Sequence, residues 1–168
     1  EEEYDEGYDV AIDSFGNVYG VGYSKSCSQL VKYDRKGNFI LNRTWRPSGK
    51  NVRGKGIKLD SSNNIYIGGD GAGGMFLLKY NFNCELQWAR IWGGPKAETF
   101  YDMAIDSYDN IYLAGATKSF SEGGDDLCIV KYDSNGNQIW NRTWGGSDYD
   151  QARSIAIDSL EGFNMEMQ

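Results

Sequence analysis

The sequence predicts an all-β fold made of repeated four-stranded antiparallel units. One pattern is written three times in the 168 residues: YDRKGNFILNRTW at 33–45, YNFNCELQWARIW at 80–92 and YDSNGNQIWNRTW at 132–144. Helical periodicity is absent, and runs of β-branched and aromatic residues alternate with turn residues instead. One unit is about 47 residues long, a period typical of repeat architectures. The recurring aspartates that mark it are Asp13, Asp60, Asp106 and Asp158.

The first two predicted strands of each unit flank the recurring aspartate. The first strand is YDVAIDS and its counterparts GIKLDS, YDMAIDS and SIAIDS, and the turns SFGN, SSNN and SYDN follow. The second strand is VYGVGYS, IYIGGDG or IYLAGAT. A glycine recurs inside this strand, and we expect it to allow a close backbone approach near a crowded axis. The three positions are Gly22, Gly69 and Gly115.

The third and fourth predicted strands form a hairpin in each unit. QLVKYD, FLLKYN and CIVKYD lead through turns such as RKGN and SNGN into FILNRTW, LQWARIW and QIWNRTW. Gly and Asn suit such turns because they accept the positive φ that tight hairpins need. Each fourth strand ends in a tryptophan, Trp45, Trp92 or Trp144, which we expect to fill the gap to the neighbouring unit.

A four-stranded unit of this length is the blade of a β-propeller, because one such sheet cannot bury both of its faces alone. We predict one propeller segment over 1–168, with full blades at about 8–45, 54–92 and 101–144 and a partial blade at 152–168. Only the first strand of the fourth blade is predicted, since the GNxY pattern is lost after Asp158. The ring is therefore incomplete within one chain.

Three arrangements remain open for an incomplete ring. The chain is a piece of a longer propeller, or copies of it assemble into one ring, or it is an open stack with capped ends. Exposed apolar blade faces favour association, so we predict self-association of the isolated chain through these faces.

The string AIDSxGNxY…G…LVKYDxxGNxIWNRTWGG resembles the beta-propeller repeat called the SBBP repeat, with a looser similarity to NHL repeats. The resemblance covers nearly all of residues 8–158, and it is weakest in the second unit, where Cys84-Glu85 replaces the Gly-Asn turn. It implies a propeller fold and a prokaryotic surface or secreted protein, hence an extracellular or cell-surface location. It implies no common catalytic motif.

Composition excludes several function classes. The net charge of −7 has the wrong sign for a general nucleic-acid binder, which needs a basic field. The chain has no histidine, so a Ser-His-Asp triad, a histidine base and histidine-ligated zinc are excluded. No apolar run approaches the roughly 20 residues of a membrane helix. Cys27, Cys84 and Cys128 form no CxxC motif, and buried free thiols are the favoured interpretation.

The loops after the second and fourth strands share one face of a propeller, and they vary in length while the hairpin turns do not. Variation on a rigid scaffold favours binding, so this face is the candidate working surface. A basic run in one loop is a candidate contact for an acidic glycan, lipid or protein, and an ordinary solvated loop is the alternative. Its residues are Arg46, Lys50, Arg53 and Lys55.

Two further candidate sites rest on local patterns. Glu122, Asp125 and Asp126 supply carboxylate oxygens in a glycine-containing insertion, as calcium accepts, although polar loop decoration explains them too. No other cofactor is expected. Asn42 and Asn141 lie in Asn-Arg-Thr glycosylation triplets, and chance recurrence within a repeated strand is the alternative.

The sequence therefore favours a non-enzymatic propeller module that binds a protein or surface polymer through variable loops. A lectin-like propeller is the alternative, with Trp88 and Trp140 stacking on sugars if their rings are exposed. A lyase or hydrolase using paired carboxylates is less favoured, because the same aspartate recurs in every blade. A structural spacer without a specific ligand is the remaining interpretation.

Overall fold

The computed structural model describes residues 5–158 in full and 163–167 by their backbone. Within these residues the chain is all strand and turn, and none of it is a helix long and apolar enough to cross a membrane. The strands are β1 (Glu6–Ile12), β2 (Val18–Ser24), β3 (Cys27–Tyr33), β4 (Phe39–Trp45), β5 (Val52–Leu59), β6 (Ile65–Gly71), β7 (Gly74–Tyr80), β8 (Leu86–Trp92), β9 (Glu98–Ile105), β10 (Ile111–Thr117), β11 (Asp126–Tyr132), β12 (Gln138–Trp144), β13 (Ala152–Ile157) and β14 (Phe163–Met167).

The strands form three four-stranded antiparallel sheets in chain order, β1–β4, β5–β8 and β9–β12. The all-β propeller architecture predicted from the repeat is confirmed. The fourth unit differs from the expectation in one respect, because β14 pairs with β13 and adds a second strand. Strand pairing uses backbone donors and acceptors, so it does not depend on the GNxY pattern that this unit lacks.

The blades begin somewhat before their predicted limits, and span 6–45, 52–92 and 98–144. A β-bulge explains the difference. The register shifts between Gly7 and Asp9 in β1 and between Gly54 and Gly56 in β5. The residue inserted by a bulge breaks the alternation of side chains while the pairing continues beyond it. Each first strand therefore begins a few residues before its sequence pattern does.

Three apolar cores lie between successive sheets. Tyr19, Val21 and Leu30 of blade 1 pack with Ile57, Ile67 and Phe76 of blade 2. The other cores follow the same plan: Tyr66, Met75 and Leu77 with Met103, Leu113 and Val130, and Tyr112, Ala114 and Ile129 with Ala152 and Ile155. Each sheet thus hides its apolar faces against its neighbours, as blades of a propeller do.

The first strands of successive blades lie against one another, β1 on β5, β5 on β9 and β9 on β13. The recurring glycine of each second strand faces the first strand of its own blade. A methyl group at Gly22, Gly69 or Gly115 would overlap a main-chain carbonyl oxygen of that strand. The close approach expected at these glycines is therefore present in all three full blades.

The outward face of blade 1 carries exposed apolar side chains. Val10, Ile12 and Phe39 are 59 %, 64 % and 61 % exposed. Among the described residues no sheet packs against this face. Self-association through it stays a prediction.

Candidate functional site

The connections between strands lie on two opposite faces. The turns after each first and third strand define the turn face, and the connections after each second and fourth strand define the loop face. On the loop face, main-chain hydrogen bonds join connections that follow second strands to neighbouring connections that follow fourth strands. The donors and acceptors are Val52 N to Ser26 O, Ala72 N to Asn51 O, Lys118 N to Ala97 O and Asp150 N to Asp125 O.

On the turn face, the recurring aspartate ties its own turn together. Asp106 is 8 % exposed and accepts hydrogen bonds from Tyr108 N (3.0 Å), Asn110 N (2.8 Å), Asn110 Nδ2 (2.8 Å) and Tyr112 OH (3.1 Å). Lys131 Nζ lies 3.4 Å from Asp106 Oδ2. Asp13 and Asp60 accept the corresponding set of hydrogen bonds in blades 1 and 2.

Burial and hydrogen bonding act in opposite directions on these carboxylates. Burial pushes the pKa of Asp13 and of Asp106 upward, but donors such as the neighbouring asparagine and tyrosine outweigh it and hold both pKa values below the ordinary aspartate range. Each carboxylate oxygen is already engaged, so these groups organise turns. Asp158, at the fourth repeat position, is exposed.

Lysine and arginine side chains of one blade donate hydrogen bonds to the turn that follows the third strand of the next blade. Lys79 Nζ donates to Ser134 O (2.9 Å) and Arg90 Nε donates to Gly136 O (2.7 Å). In the preceding pair of blades, Lys32 Nζ and Arg43 Nε donate to Phe82 O and Cys84 O. The repeated cations therefore join blades through carbonyl oxygens, while the ion pairs of Lys79 and Lys131 with aspartate stay within one blade.

The three strand-end tryptophans have different surroundings. Trp45 packs against Phe76 of the next blade, with ring centroids 4.9 Å apart and the ring planes tilted by 46°. Trp92 is 7 % exposed and lies 5.2 Å from the Phe120 ring. Trp144, however, is 62 % exposed. Trp45 and Trp92 pack against the third strand or the strand-two loop of the next blade, and no counterpart of Phe76 or Phe120 lies beside Trp144 among the described residues.

The two rings proposed for sugar stacking are half-buried. Trp88 lies edge-on to Tyr66 and beneath the Arg90 guanidinium, and Trp140 lies edge-on to Tyr112. The Arg142 guanidinium lies over Trp140. An intramolecular cation–π contact thus occupies one face of each ring, and the remaining surface of each ring is only partly exposed.

The basic run does not converge on one point. Lys55 forms an ion pair with Asp70 at 2.6 Å. The other three side chains contact separate partners: Arg46 donates to Gly49 O, Lys50 donates to Ala72 O, and Arg53 lies over the Tyr23 ring. Arg46 and Lys50 lie in the loop, but Arg53 and Lys55 belong to β5, because strand pairing with β6 begins at Val52. The role of the run as a contact for an acidic partner stays a prediction.

The loops 118–126 and 144–151, here called the blade-3 rim, hold the acids of the predicted calcium site. Within the part of the chain that the structure describes, no three acid or thiol side chains meet in metal-binding geometry. Glu122 is exposed, while Asp125 and Asp126 are turned inward. Asp150, which the sequence reasoning missed, lies beside Asp126 across Gly145. The repeat could have identified Asp150, because Asp150 occupies the repeat position that the buried Glu98 occupies one blade earlier.

The blade-3 rim also carries exposed aromatic side chains. Phe120, Trp144 and Tyr149 are 49 %, 62 % and 68 % exposed. Sequence reasoning identified the enlarged loop but not these rings. Their position in the loops of variable length was the available signal.

Both candidate glycosylation residues are exposed, Asn42 on β4 and Asn141 on β12. Each strand is the last of its sheet and pairs on one side only in the described residues. The geometry leaves room for a glycan, and the modification stays a prediction.

The cysteines provide a direct check of the interblade packing. All three are free thiols, with Cys84 and Cys128 buried and Cys27 half-buried. Burial raises the pKa of Cys84 and of Cys128, which lowers their thiolate fraction. We expect a thiol reagent to label Cys27 first in the folded protein and the other two only after denaturation. A Cys27→Ser variant that kept a fast labelling phase would contradict this packing.

Comparison with known proteins supports the fold. A model of the SBBP family, described as a beta-propeller repeat, matches residues 2–26. A protein of unknown function from Bacteroides caccae has a similar structure, with a TM-score of 0.62, 14 % identity, and coverage of 96 % of this chain and 53 % of its own. The extracellular domain of a one component system from B. thetaiotaomicron gives a TM-score of 0.58 and 11 % identity, with 95 % and 20 % covered.

No curated protein matches the chain. The chain spans about half of the first solved structure and a fifth of the second. At these identities the structural likeness shows the fold alone. With the sheet architecture, this likeness identifies the fold as that of a β-propeller, and residues 2–26 are similar to the SBBP beta-propeller repeat.

Proposed function

We propose that the chain is a non-enzymatic binding module that presents the loop face of a propeller to a protein or a surface polymer. The exposed aromatic rings of the blade-3 rim carry the proposal. Phe120 and Tyr149 lie in loops whose ends are fixed by paired strands, and Trp144 is the last residue of β12. Aromatic side chains on a rigid support supply large contact area at low entropic cost.

The carboxylates of the turn face support a non-enzymatic role. An acid or base catalyst needs a lone pair or proton that is available to a substrate. The oxygens of Asp13, Asp60 and Asp106 are instead occupied by turn, asparagine and tyrosine donors. Without histidine in the chain, these acids were the main candidates for hydrolysis or elimination.

A glycan is the second candidate ligand. Trp144 and Tyr149 expose an indole and a phenol on the same loop, beside the acids of the blade-3 rim. Sugars stack their apolar faces on exposed rings and use carboxylates as hydrogen-bond acceptors. This surface replaces Trp88 and Trp140 as the site of a lectin-like activity.

We further propose an extracellular or cell-surface location and self-association through the open face of blade 1. The location is supported by the SBBP match and by a structural neighbour that is an extracellular domain.

Self-association is supported by the exposed Val10, Ile12 and Phe39. Concentration-dependent light scattering tests it, and a Val10→Lys, Ile12→Lys variant should remain monomeric.

Substitution of the exposed aromatics tests the face assignment. A loop-face variant replaces Phe120, Trp144 and Tyr149 by alanine, and a matched turn-face variant replaces Phe15, Phe82 and Tyr108, which are 73 %, 57 % and 68 % exposed. Binding to a panel of immobilised polysaccharides and surface proteins is measured by interferometry. We expect the loop-face variant alone to lose about tenfold or more in affinity. Loss confined to the turn-face variant would contradict the proposal.

A further inference from the structure

A buried carboxylate oxygen on the blade-3 rim has no hydrogen-bond donor. Asp126 is 6 % exposed, and its Oδ1 has no partner among the described residues. A carboxylate oxygen that is removed from water is unfavourable unless a donor or a cation compensates it. Among the described residues, three buried side-chain oxygens lack a hydrogen-bond partner. All three belong to carboxylates of blade 3: Glu98 Oε2, Asp125 Oδ1 and Asp126 Oδ1.

A second carboxylate faces Asp126 across a glycine. A methyl group at Gly145 would lie 2.6 Å from Asp126 Oδ1 and 2.9 Å from Asp150 Oδ2. The two oxygens therefore border the same small space, which stays open because residue 145 has no side chain. Asp150 Oδ2 accepts one hydrogen bond there, from Gly146 N at 3.2 Å. Two carboxylates in one space repel each other unless a cation or a proton compensates them.

Asp125 adds a third acid at the same edge. Its Oδ1 lies 3.6 Å from Lys118 Nζ, on a lysine side chain that is half exposed. The Asp125 carbonyl oxygen accepts the hydrogen bond of Asp150 N at 2.7 Å, which joins the two loops directly. The main chains of the two loops thus meet at Asp125 and Asp150.

Glycine contacts fix the two loops against each other. A side chain at Gly123 would lie 2.7 Å from Ser147, and one at Gly124 would lie 2.6 Å from the Asp148 carbonyl carbon. The insertion 118–125 is therefore packed on the loop 145–151. This contact holds Asp126 and Asp150 beside Gly145 without a bound ligand.

We propose that the blade-3 rim is a calcium site in which Asp126 and Asp150 supply the charged ligands, with Asp125 beside them. Ca²⁺ fits because it takes carboxylate and main-chain carbonyl oxygens in irregular loops, whereas Zn²⁺ favours the nitrogen and sulfur ligands that this edge lacks. The ion completes its shell with main-chain oxygens and water, so three converging acids are not required. Asp150 takes the place that the sequence pattern gave to Glu122.

Luminescence of Tb³⁺ tests the site, because this ion replaces Ca²⁺ and is sensitised by a nearby indole. Trp144 precedes Gly145 and provides that indole. After treatment with a chelator, the protein should bind Tb³⁺ and release it to Ca²⁺ at about 1 mM, the range of extracellular modules. Asp126→Asn and Asp150→Asn should each weaken binding by about tenfold or more. Glu122→Gln, the matched control, should bind as the wild type does.

Thermal unfolding provides a readout that separates ligand loss from misfolding. Ca²⁺ should raise the melting temperature of the wild type, because it binds the folded state only. Asp126→Asn without calcium should melt at or above the wild-type temperature, since the buried charge is removed, and should no longer respond to Ca²⁺. Absence of Tb³⁺ and Ca²⁺ binding to the wild type, equal loss in Glu122→Gln, or an equal response to Mg²⁺ would each overturn the proposal. If Asp126→Asn does not fold, the same binding and unfolding measurements on Asp150→Asn test the proposal.

Discussion

Replacing Gly69 by alanine is expected to destabilise the protein by about 3 kcal/mol, the upper range of overpacking. The added methyl would overlap the carbonyl oxygen of Arg53 on the paired strand β5 and lie 2.6 Å from Phe76 Cζ. Phe76 is fully buried between blades 1 and 2, so neither neighbour can move without opening the interblade core. Chemical denaturation followed by tryptophan fluorescence measures the loss.

Gly20→Ala is the matched control, because it lies in the second strand of blade 1. A methyl there meets nothing within 4 Å, so its free energy of unfolding should stay within about 0.5 kcal/mol of the wild type. Gly22→Ala should resemble Gly69→Ala, because its methyl would overlap the carbonyl oxygen of Glu6 in the same way. If Gly20→Ala and Gly69→Ala changed the free energy of unfolding equally, the cause would be the general strand propensity of glycine and alanine, and not the close approach of the paired strand at Gly69.

The repeat made most of the fold predictable. A residue that recurs in every unit has the same structural role in every blade. Gly69 allows the close approach of two paired strands, and Asp106 accepts the hydrogen bonds of a turn. The fourth unit shows where this reasoning stops. β14 pairs with β13, although the sequence FNMEM does not repeat the pattern of the earlier second strands.

The candidate site was harder to predict because it depends on contacts between loops distant in sequence. Lys50 looked available for a partner, but its ammonium reaches Ala72 O in the neighbouring loop. Glu122 looked like a ligand beside Asp125 and Asp126, but it points to solvent while Asp150 approaches from the next loop. Loop packing decides which acids meet, and the repeat pattern carries little information about insertions.

Asp106→Ala is expected to cost about 3 kcal/mol of stability, as the loss of a buried and paired carboxylate does. The substitution leaves four donor groups without their acceptor, on Tyr108, Asn110 and Tyr112. It also leaves the ammonium of Lys131 beside Tyr112 without its partner carboxylate. Urea denaturation at neutral pH measures the effect.

Asp133→Ala is the matched control, because Asp133 accepts the same type of turn hydrogen bonds later in the same blade, from Asn135 N and Asn137 N, but lies near solvent. Water can satisfy the donors it would leave, so the loss should be much smaller. Similar losses at the two positions would mean that the turn alone, and not its burial, requires the acid.

Acid provides an independent measure of the same contacts. The pKa of Asp106 lies below its ordinary value of 3.8 in the folded protein, so the folded state binds its proton less readily than the unfolded state does. The stability that Asp106 contributes is therefore fully present above about pH 3.8 and is lost as the pH falls through the lowered pKa. Asp106→Asn cannot gain this proton, so its free energy of unfolding should fall less steeply than that of the wild type below that pH. Parallel profiles would show that the carboxylate is no better solvated in the folded blade than in the unfolded chain.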